Sequence, residues 1–358
     1  MIPLAPSRRV RRTPWTDRLE AAGLSALTVY NRMRLPVSFR GAAEDCRHLK
    51  SAVQIWDVAC ERQVEVVGPD ATALVQRLTP RDLSGLKYGR LAYIPVCNGH
   101  GRMLNDPVAL QVDEDRWWIS IGDSDLRLWV EGLAIGLGAE VEVSEPDINP
   151  LAIQGPQADE LAARVFGDLS DLKFYNWRQV PFDGHMLVCS RSGFSKQGGF
   201  EVFCNSATAI GVWDALMEAG RDLDVRAGGP NLIERIEGGL LSYGNDMDQT
   251  TTPFEAGLGR FCGGTHDYIG KAELEAARDP VRIIKAIEIE ADALPVCDAL
   301  WPVMAGDRQV GHVSSAAHAP DRGCGVAIGM VETALSGPVT VEAPDGPRPA
   351  TIRDKFWL

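Results

Sequence analysis

Three short stretches of the 358-residue sequence combine glycine with charged and amide side chains, and they lie at residues 191–201, 234–237 and 243–247. Glycine allows a backbone to approach a ligand closely, and glutamate and arginine side chains can pair with the amide edge of a heterocycle. The same composition is also typical of tight turns. The pattern alone therefore leaves two interpretations open, a ligand-lining role and a turn-forming role.

Motifs that would define an enzyme class from the sequence alone are absent. No GxGxxG follows a predicted strand, and neither a GxxxxGK[ST] phosphate loop nor a GxSxG nucleophile elbow occurs. The eight cysteines form no CxxC pair and the six histidines form no HExxH or HxH, so we predict no metal site and no disulfide framework. Scattered thiols of this kind are typical of the cytoplasm, which is the predicted location.

The charge balance argues against nucleic acid as the main ligand. Lys and Arg number 36 while Asp and Glu number 49, which gives a formal net charge of -13, whereas phosphate binding requires a positive surface. The sequence is 45% hydrophobic and 24% charged, as in a globular protein, and none of its apolar stretches is long enough to span a membrane. We therefore expect a small-molecule substrate rather than a nucleic acid or a membrane.

An internal repeat predicts how the chain positions these stretches. A strand, the turn Gly-Pro-Asp at 68–70 and a helix are predicted over residues 64–78, and residues 151–166 repeat the plan with Gly-Pro-Gln at 155–157. In both helices apolar residues recur at i, i+3, i+4 and i+7. Duplication and coincidence both explain the match. Duplication predicts a pseudo-twofold α+β body in which two sheets meet at a central cleft.

A β-hairpin is predicted between the two copies. Residues 91–97 and 102–112 have the composition of strands, and the turn Asn-Gly-His-Gly at 98–101 joins them. Tyr93 lies on the first arm, and Asp106 precedes Pro107 on the second.

The composition changes after a break at residues 276–280. Short predicted strands, separated by Gly, Pro and Asp, lie at 283–289, 310–314, 325–331, 339–342 and 350–353. This spacing predicts a small antiparallel barrel or sandwich at the end of the chain.

Longer strings of residues resemble the glycine-cleavage T-protein (aminomethyltransferase) superfamily. They are YGNDM at 243–247, TTPFEAGL at 251–258, Asp106 on its hairpin and VSS at 313–315. Strings along the whole chain are similar to the dimethylsulfoniopropionate demethylases of that superfamily, and they are SRRVRRTP at 7–14, TVYN at 28–31, WDVACERQV at 56–64, TPRD at 79–82 and the stretch 192–200.

The resemblance implies an α+β fold, a three-domain cloverleaf with folate in its central hole. Residues 1–275 would form two interleaved, pseudo-symmetric α+β domains, and residues 280–358 would form a small antiparallel β-barrel domain. It also implies a tetrahydrofolate-dependent methyltransferase that moves a methyl group from dimethylsulfoniopropionate, or a similar small sulfonium, to N5 of tetrahydrofolate. A homodimer is a further expectation.

Some positions depart from the demethylase pattern. Arg32 stands where a histidine is expected after Tyr-Asn, residues 34–37 differ from the expected string, and residues 248–252 are closer to the aminomethyltransferases. Two other enzymes therefore stay open, an aminomethyltransferase of the glycine cleavage system and a folate-dependent N- or O-demethylase. Folate-binding relatives without enzymatic activity rely on a reactive cysteine in the second domain, and the corresponding residues 191–199 contain none.

The resemblance also assigns roles to single residues of the folate site. Asp106 takes the position of the aspartate beside the folate reaction centre, which makes it the candidate catalytic residue. Glu201 would accept hydrogen bonds from the pterin N3–H and its exocyclic amine. Tyr93 and Arg235 are carried over as further folate contacts. Each also has a purely structural interpretation, as a turn, surface or core residue.

A cationic methyl donor suggests two further groups of residues. The aromatic side chains of Tyr30, Trp177 and Phe194 could surround a sulfonium through cation–π attraction. Arg32 or Lys196 could pair with a carboxylate of the substrate. The aromatic residues are equally interpretable as core.

The implied chemistry requires few catalytic groups. A sulfonium methyl is already electrophilic and leaves as a neutral thioether, so N5 can attack it in line. Holding two reactants near contact lowers a barrier by roughly 7–11 kcal/mol. Neither a metal ion nor a covalent nucleophile is required.

Overall fold

A computed structural model describes residues 7–358, so the first six residues of the predicted 1–275 region lie outside it. The chain first forms a short helix, a hairpin, a second helix and a strand. They are α1 (Thr16–Ala21), β1 (Ala26–Tyr30), β2 (Met33–Ser38), α2 (Ala42–Ser51) and β3 (Gln54–Asp57).

A five-stranded sheet follows, with the strand order β10-β4-β9-β8-β5, and β6 pairs separately with β7. The elements are β4 (Gln63–Val67), α3 (Ala71–Leu78), β5 (Leu91–Tyr93), β6 (Val96–Cys97), β7 (Met103–Asn105), β8 (Val108–Asp113), β9 (Arg116–Ser120), α4 (Leu126–Leu137) and β10 (Glu142–Ser144). Helices α3 and α4 pack on one face of this sheet, where residues such as Leu74 and Val130 meet Trp117.

A second sheet has six strands in the order β12-β13-β14-β11-β3-β15. Its elements after β3 are β11 (Asn149–Gln154), α5 (Ala158–Phe166), β12 (Trp177–Phe182), β13 (His185–Ser190), β14 (Gly199–Cys204), α6 (Ala209–Ala219), a 3-10 turn (Arg221–Leu223) and β15 (Arg226–Gly228). Helices α5 and α6 cover one face. Strand β3 precedes the five-stranded sheet in the chain but belongs to the six-stranded sheet. The two units, each a sheet with its covering helices, are therefore interleaved in sequence.

The two sheets have related topologies. Strands β4, β9, β8 and β5 are neighbours in the first, and β11, β14, β13 and β12 are neighbours in the second in the same order. In each unit the first of these strands leads through a Gly-Pro turn into a helix, as the repeat predicted. Gly68 and Gly155 both have positive φ, +142° and +128°. A Cβ on either would lie 2.3 Å from a backbone carbonyl oxygen, of Glu140 or of Ala52.

The uncovered faces of the two sheets pack against each other. Leu110 and Trp118 of the first sheet meet Val188 and Phe203 of the second. The sheets also join at one edge, where the Leu91 amide donates to the carbonyl of residue 175 over 2.9 Å. Side chains on these two faces therefore point into the region between the sheets.

The last part of the chain forms a closed antiparallel barrel, as predicted. Before it come α7 (Leu232–Glu237), a 3-10 turn (Gly259–Phe261) and α8 (Lys271–Ala276). The barrel strands, in the order β16-β19-β18-β17-β20-β21, are β16 (Arg282–Ile289), β17 (Trp301–Ala305), β18 (Arg308–Ala319), β19 (Cys324–Glu332), β20 (Gly337–Ala343) and β21 (Gly346–Arg353). Strand β17 was not predicted, because Pro302 interrupts its strand-like pattern.

The predicted domain division at 275–280 falls between α8 and β16 and stays a prediction. In residues 7–358 no helix has the length and apolar character needed to cross a membrane.

The paired Gly-Pro turns generate a stability prediction. We expect Gly68→Ala and Gly155→Ala each to lower the free energy of unfolding by about 1–3 kcal/mol, because the new Cβ meets a carbonyl at a positive φ. The control is Gly132→Ala on the exposed face of α4, where a Cβ meets no atom within 4 Å. This substitution should stabilise the protein by about 0.5–1 kcal/mol. Thermal unfolding midpoints measure all three, and equal midpoints for Gly155→Ala and wild type would contradict the packing described.

Candidate active site

Asp106 lies where the central hairpin changes partner strands. Strand β7 ends at Asn105 and β8 begins at Val108, so Asp106 and Pro107 form the break between two ladders. The Tyr93 hydroxyl donates to Asp106 Oδ2 over 2.7 Å. A Cβ at residue 122 would lie 2.9 Å from Asp106 Oδ1, so glycine at that position leaves room for the carboxylate. The carboxylate is therefore held by its surroundings.

Two asparagines fasten the backbone around this position. Asn105 Oδ1 accepts from the amides of Gly122 and Asp106 over 2.8 and 3.0 Å. Asn31 Nδ2 donates to the carbonyls of Cys60 and Gly122, both over 2.9 Å. Asn31 itself has a left-handed backbone with a φ of 49°. The tip of the β1–β2 hairpin, the turn after β3 and the loop after β9 thus form one rigid frame.

Glu201 enters the same region from the second sheet. Its neighbours Phe200 and Val202 point towards α5 and α6, so Glu201 points to the opposite face, between the two sheets. On β5, Tyr93 likewise shares the inter-sheet face with Leu91. The Ser192 hydroxyl donates to Glu201 Oε2 and lies 2.6 Å from the hydroxyl of Ser190.

Glu61 is a third carboxylate of this cleft, and the charges of the other two carboxylates act on its pKa. Burial, and then the negative charges of Glu201 and Asp106, raise the pKa of Glu61 well above its ordinary value. Burial also raises the pKa of Glu201, against the hydrogen bond from Ser192. Burial raises the pKa of Asp106 to about 7, which the hydrogen bond from Tyr93 opposes only in part.

Aromatic side chains complete the cleft. Burial and the charge of Asp106 raise the pKa of Tyr30 and of Tyr93 well above the ordinary tyrosine value. Burial and the charge of Glu201 raise the pKa of Tyr175. Phe261 contacts Tyr93 edge to face, with ring centroids 5.2 Å apart. Acidic and aromatic groups together attract cations and can accept hydrogen bonds from N–H donors.

The structure brings four of the predicted residues, Asp106, Tyr93, Glu201 and Tyr30, into one cleft. Arg235 is engaged elsewhere. Its guanidinium pairs with Asp246 over 2.8 Å and donates to Ser315 Oγ over 2.6 Å, and the side chains of Arg235 and Asp246 are 8% and 0% exposed. This buried pair joins α7 to the barrel strand β18. A contact between Arg235 and folate stays a prediction.

The four remaining predicted residues have other contacts. Trp177 is 4% exposed and packs between the two sheets, and half-buried Phe194 packs on Trp56. Arg32 is exposed and pairs with Asp125. Lys196 is also exposed, although its backbone amide donates to Glu234 Oε1 over 2.7 Å. Substrate contacts by these four residues stay predictions.

Sequence reasoning missed several residues of the cleft. Glu61 lies in WDVACERQV, and Ser192 lies in the glycine-rich stretch, so a signal for both was present. Tyr175 and the supporting Asn105 carried no signal beyond their residue type. Among the residues that the structure describes, no group of three or more His, Cys, Asp or Glu side chains could hold a metal ion.

Two known protein domains match most of the chain. Residues 15–265 match the GCVT N-terminal domain, and residues 282–357 match the glycine cleavage T-protein C-terminal barrel domain. The chain therefore belongs to the glycine cleavage T-protein family. The solved structure of the glycine cleavage system aminomethyltransferase T from Bartonella henselae superposes with a TM-score of 0.87, covering 98% of both chains at 22% identity. The cloverleaf fold class is confirmed.

Within this family the chain is more similar in sequence to a demethylase than to an aminomethyltransferase. The chain is 50% identical over 364 residues to the dimethylsulfoniopropionate demethylase DmdA of Ruegeria pomeroyi, and the alignment covers 100% of both chains. It is 29% identical to an aminomethyltransferase of Bacillus cereus, over 90% of both chains. The resemblance inferred from the sequence is confirmed.

The raised pKa of Asp106 predicts how its removal changes stability with pH. In the folded chain its pKa is about 7 rather than 3.8, so the folded state binds the proton more tightly and loses stability as the pH rises through this window. We expect Asp106→Asn to stabilise the protein by about 1–3 kcal/mol near pH 8, with a gain that vanishes towards pH 4. Thermal unfolding at several pH values measures this.

The control for that experiment is Asp307→Asn, which changes an exposed turn residue of the barrel. It should leave the unfolding midpoint close to that of wild type, as surface substitutions usually do. An Asp106→Asn protein that is less stable than wild type near pH 8 would contradict the electrostatic description of the cleft.

Proposed function

We propose that this chain transfers a methyl group from dimethylsulfoniopropionate, or a small sulfonium of the same kind, to N5 of tetrahydrofolate, giving methylthiopropionate and 5-methyltetrahydrofolate. The observation that carries the proposal is the 50% identity along the whole chain to a dimethylsulfoniopropionate demethylase, against 29% for an aminomethyltransferase. The acidic and aromatic cleft supports it, because its chemistry suits a cationic donor.

The hydrogen-bonding groups of the cleft also support binding of the pterin of tetrahydrofolate. Glu201 Oε2 accepts from Ser192, whereas Oε1 has no hydrogen-bond partner among residues 7–358. This oxygen is free to accept from N–H groups such as those of a pterin, a charge-assisted contact that is stronger than a neutral one. Glu201 would hold the pterin, with Tyr93 and Asp106 beside it.

Tetrahydrofolate supplies the N5 amine, whose lone pair takes the methyl group as the C–S bond breaks towards sulfur and whose proton is then released. The protein's own contribution is placement and charge. Tyr93 and the frame around Gly122 fix the Asp106 carboxylate at one point of the cleft. Since the pKa of Asp106 is about 7, this group is partly ionised near neutral pH and can favour positive charge beside it.

The proposal also covers the form of the methyl donor, the cellular compartment and the oligomeric state. The donor is a free small molecule, and the protein works in the cytoplasm. All eight cysteines are free thiols, six of them buried, which suits a reducing compartment. A homodimer stays a prediction, which the mass of the protein in solution can test.

The proposal is tested by incubating the purified protein with tetrahydrofolate and a panel of sulfonium, betaine and methoxyaromatic compounds. We expect 5-methyltetrahydrofolate and a thioether from the sulfonium without any carrier protein. Consumption of an N-methyl or methoxy compound, with no thioether from the sulfonium, would contradict the proposed donor. Activity only in the presence of a lipoyl carrier protein would indicate an aminomethyltransferase.

Glu201 should contribute to folate binding. We expect Glu201→Ala to weaken binding of tetrahydrofolate by about 1–3 kcal/mol, because pterin N–H donors are then buried without an acceptor. Calorimetry measures the affinity, and Glu114→Ala in the exposed turn before β9 is the matched control. An unchanged affinity in a folded Glu201→Ala protein would exclude the assigned pterin contact.

Asp106 should act through position and charge rather than as an obligatory acid or base. The thioether leaving group needs no proton, so we expect Asp106→Asn to retain measurable methyl transfer. Its rate should fall by less than the roughly 10²–10⁴-fold that is typical of losing an essential acid or base. Any inflection of the rate near pH 7 that depends on Asp106 should disappear. Rates between about pH 6 and 8.5 measure both effects. Complete loss of turnover with normal folate binding would refute this role.

A further inference from the structure

Glu61 is held in place by its backbone. The turn that follows β3 is closed by the Glu61 amide, which donates to the Val58 carbonyl over 2.9 Å. The Glu61 carbonyl accepts from the Gln63 side chain over 2.8 Å, and Asn31 holds the preceding Cys60 carbonyl. The next side chain, Arg62, turns away and pairs with Glu145. The backbone from which the Glu61 side chain extends is therefore fixed.

The Glu61 carboxylate differs from two other enclosed glutamates, which are ion-paired. Glu237 pairs with Lys50 and Arg322, and Glu255 pairs with Arg282 over 2.7 Å. The side chain of half-buried Glu61 makes neither a hydrogen bond nor an ion pair within residues 7–358. The charged groups that act on its pKa, Glu201 and Asp106, are themselves acidic. The protein thus supplies no positive charge to this carboxylate.

Aromatic rings lie beside the same carboxylate. Tyr30, at the end of β1, and Tyr175, before β12, are both close enough to Glu61 for its charge to act on their hydroxyls. A sulfonium has no N–H or O–H group to donate, so anions and aromatic faces are the strongest means by which a protein can recognise its charge. An unpaired carboxylate whose charge reaches two tyrosines offers both.

We propose that Glu61, which releases its proton to solvent as the cation enters, is the counter-ion of the cationic methyl donor and the residue that makes the protein prefer a sulfonium to a molecule of the same shape without the positive charge. The proposal rests on the proposed function and adds to it the residue that selects the donor. Glu61 acts on binding of the donor, whereas Glu201 is assigned to the pterin. Replacing Glu61 should therefore raise KM for the sulfonium far more than it lowers kcat.

The test compares two ligands that differ in charge but not in shape. Dimethylsulfoniopropionate and 4-methylpentanoate are isosteres, with a positive sulfur in the first and a CH group in the second. Their affinities are measured by calorimetry without folate, so no reaction occurs, in wild type, Glu61→Gln, Glu61→Asp and the matched control Glu114→Gln. Thermal unfolding checks that each variant is folded.

We expect wild type and Glu114→Gln to bind the sulfonium at least about tenfold more tightly than 4-methylpentanoate, which is a modest Coulomb effect for a partly buried pair. Glu61→Gln should bind the two ligands about equally while keeping the wild-type affinity for 4-methylpentanoate. Glu61→Asp keeps the charge and should keep part of the preference.

Three results would overturn the proposal. The first is a full preference for the sulfonium in Glu61→Gln, and the second is no preference in wild type. The third is a Glu61→Gln protein whose kcat falls while its KM is unchanged, which would make Glu61 a proton acceptor instead. Failure of the proposed function gives a different result, because wild type would then form no thioether from the sulfonium.

Discussion

The structure depends on the burial of three carboxylates, Asp106, Glu201 and Glu61, in one cleft between two sheets. Removing a carboxylate from water is unfavourable, and placing like charges together adds to the cost. The three carboxylates stay buried because hydrogen bonds hold the backbone around them rigidly. Asn31 and Asn105 hold three separate loops together through hydrogen bonds. Within residues 7–358, Asp106 and Glu201 each receive a single side-chain hydrogen bond, from Tyr93 and Ser192 respectively, and Glu61 receives none. The acceptor capacity that remains is available to ligands.

Where the barrel meets the rest of the chain, the buried acidic side chains are paired with arginines, unlike those of the cleft. Asp246 receives Arg235 and the hydroxyls of Ser314 and Ser315, so this buried charge is neutralised and fully hydrogen-bonded. Glu255 is similarly paired with Arg282 on the first barrel strand. These junctions hold segments of the family pattern, YGNDM and TTPFEAGL. Two parts of the pattern thus hold the barrel to the rest of the chain, while the cleft carboxylates keep unused acceptor capacity.

Periodicity and turn chemistry predicted much of the fold. The Gly-Pro turns at 68 and 155 and their helices lie where expected, since glycine at those positions is required by close backbone approach. Strand β17 was missed because Pro302 breaks its pattern. Asp106, Tyr93 and Glu201 came from the resemblance. Glu61 lies in the matching string WDVACERQV, but its role could not be derived from local sequence, because its environment is created by three segments that meet only in the folded chain. For the same reason, the buried ion pair of Arg235 could not be foreseen.

The central claim is that the fold raises the pKa values of the cleft carboxylates by desolvation, and a titration of Asp106 tests it most directly. Carbon-13 NMR of protein labelled at aspartate carboxyl carbons, compared between wild type and Asp106→Asn, assigns the resonance that the variant lacks. The account predicts a titration midpoint of about 7 for this resonance. A midpoint near 3.8, the ordinary aspartate value, would show a hydrated carboxylate and would contradict the account.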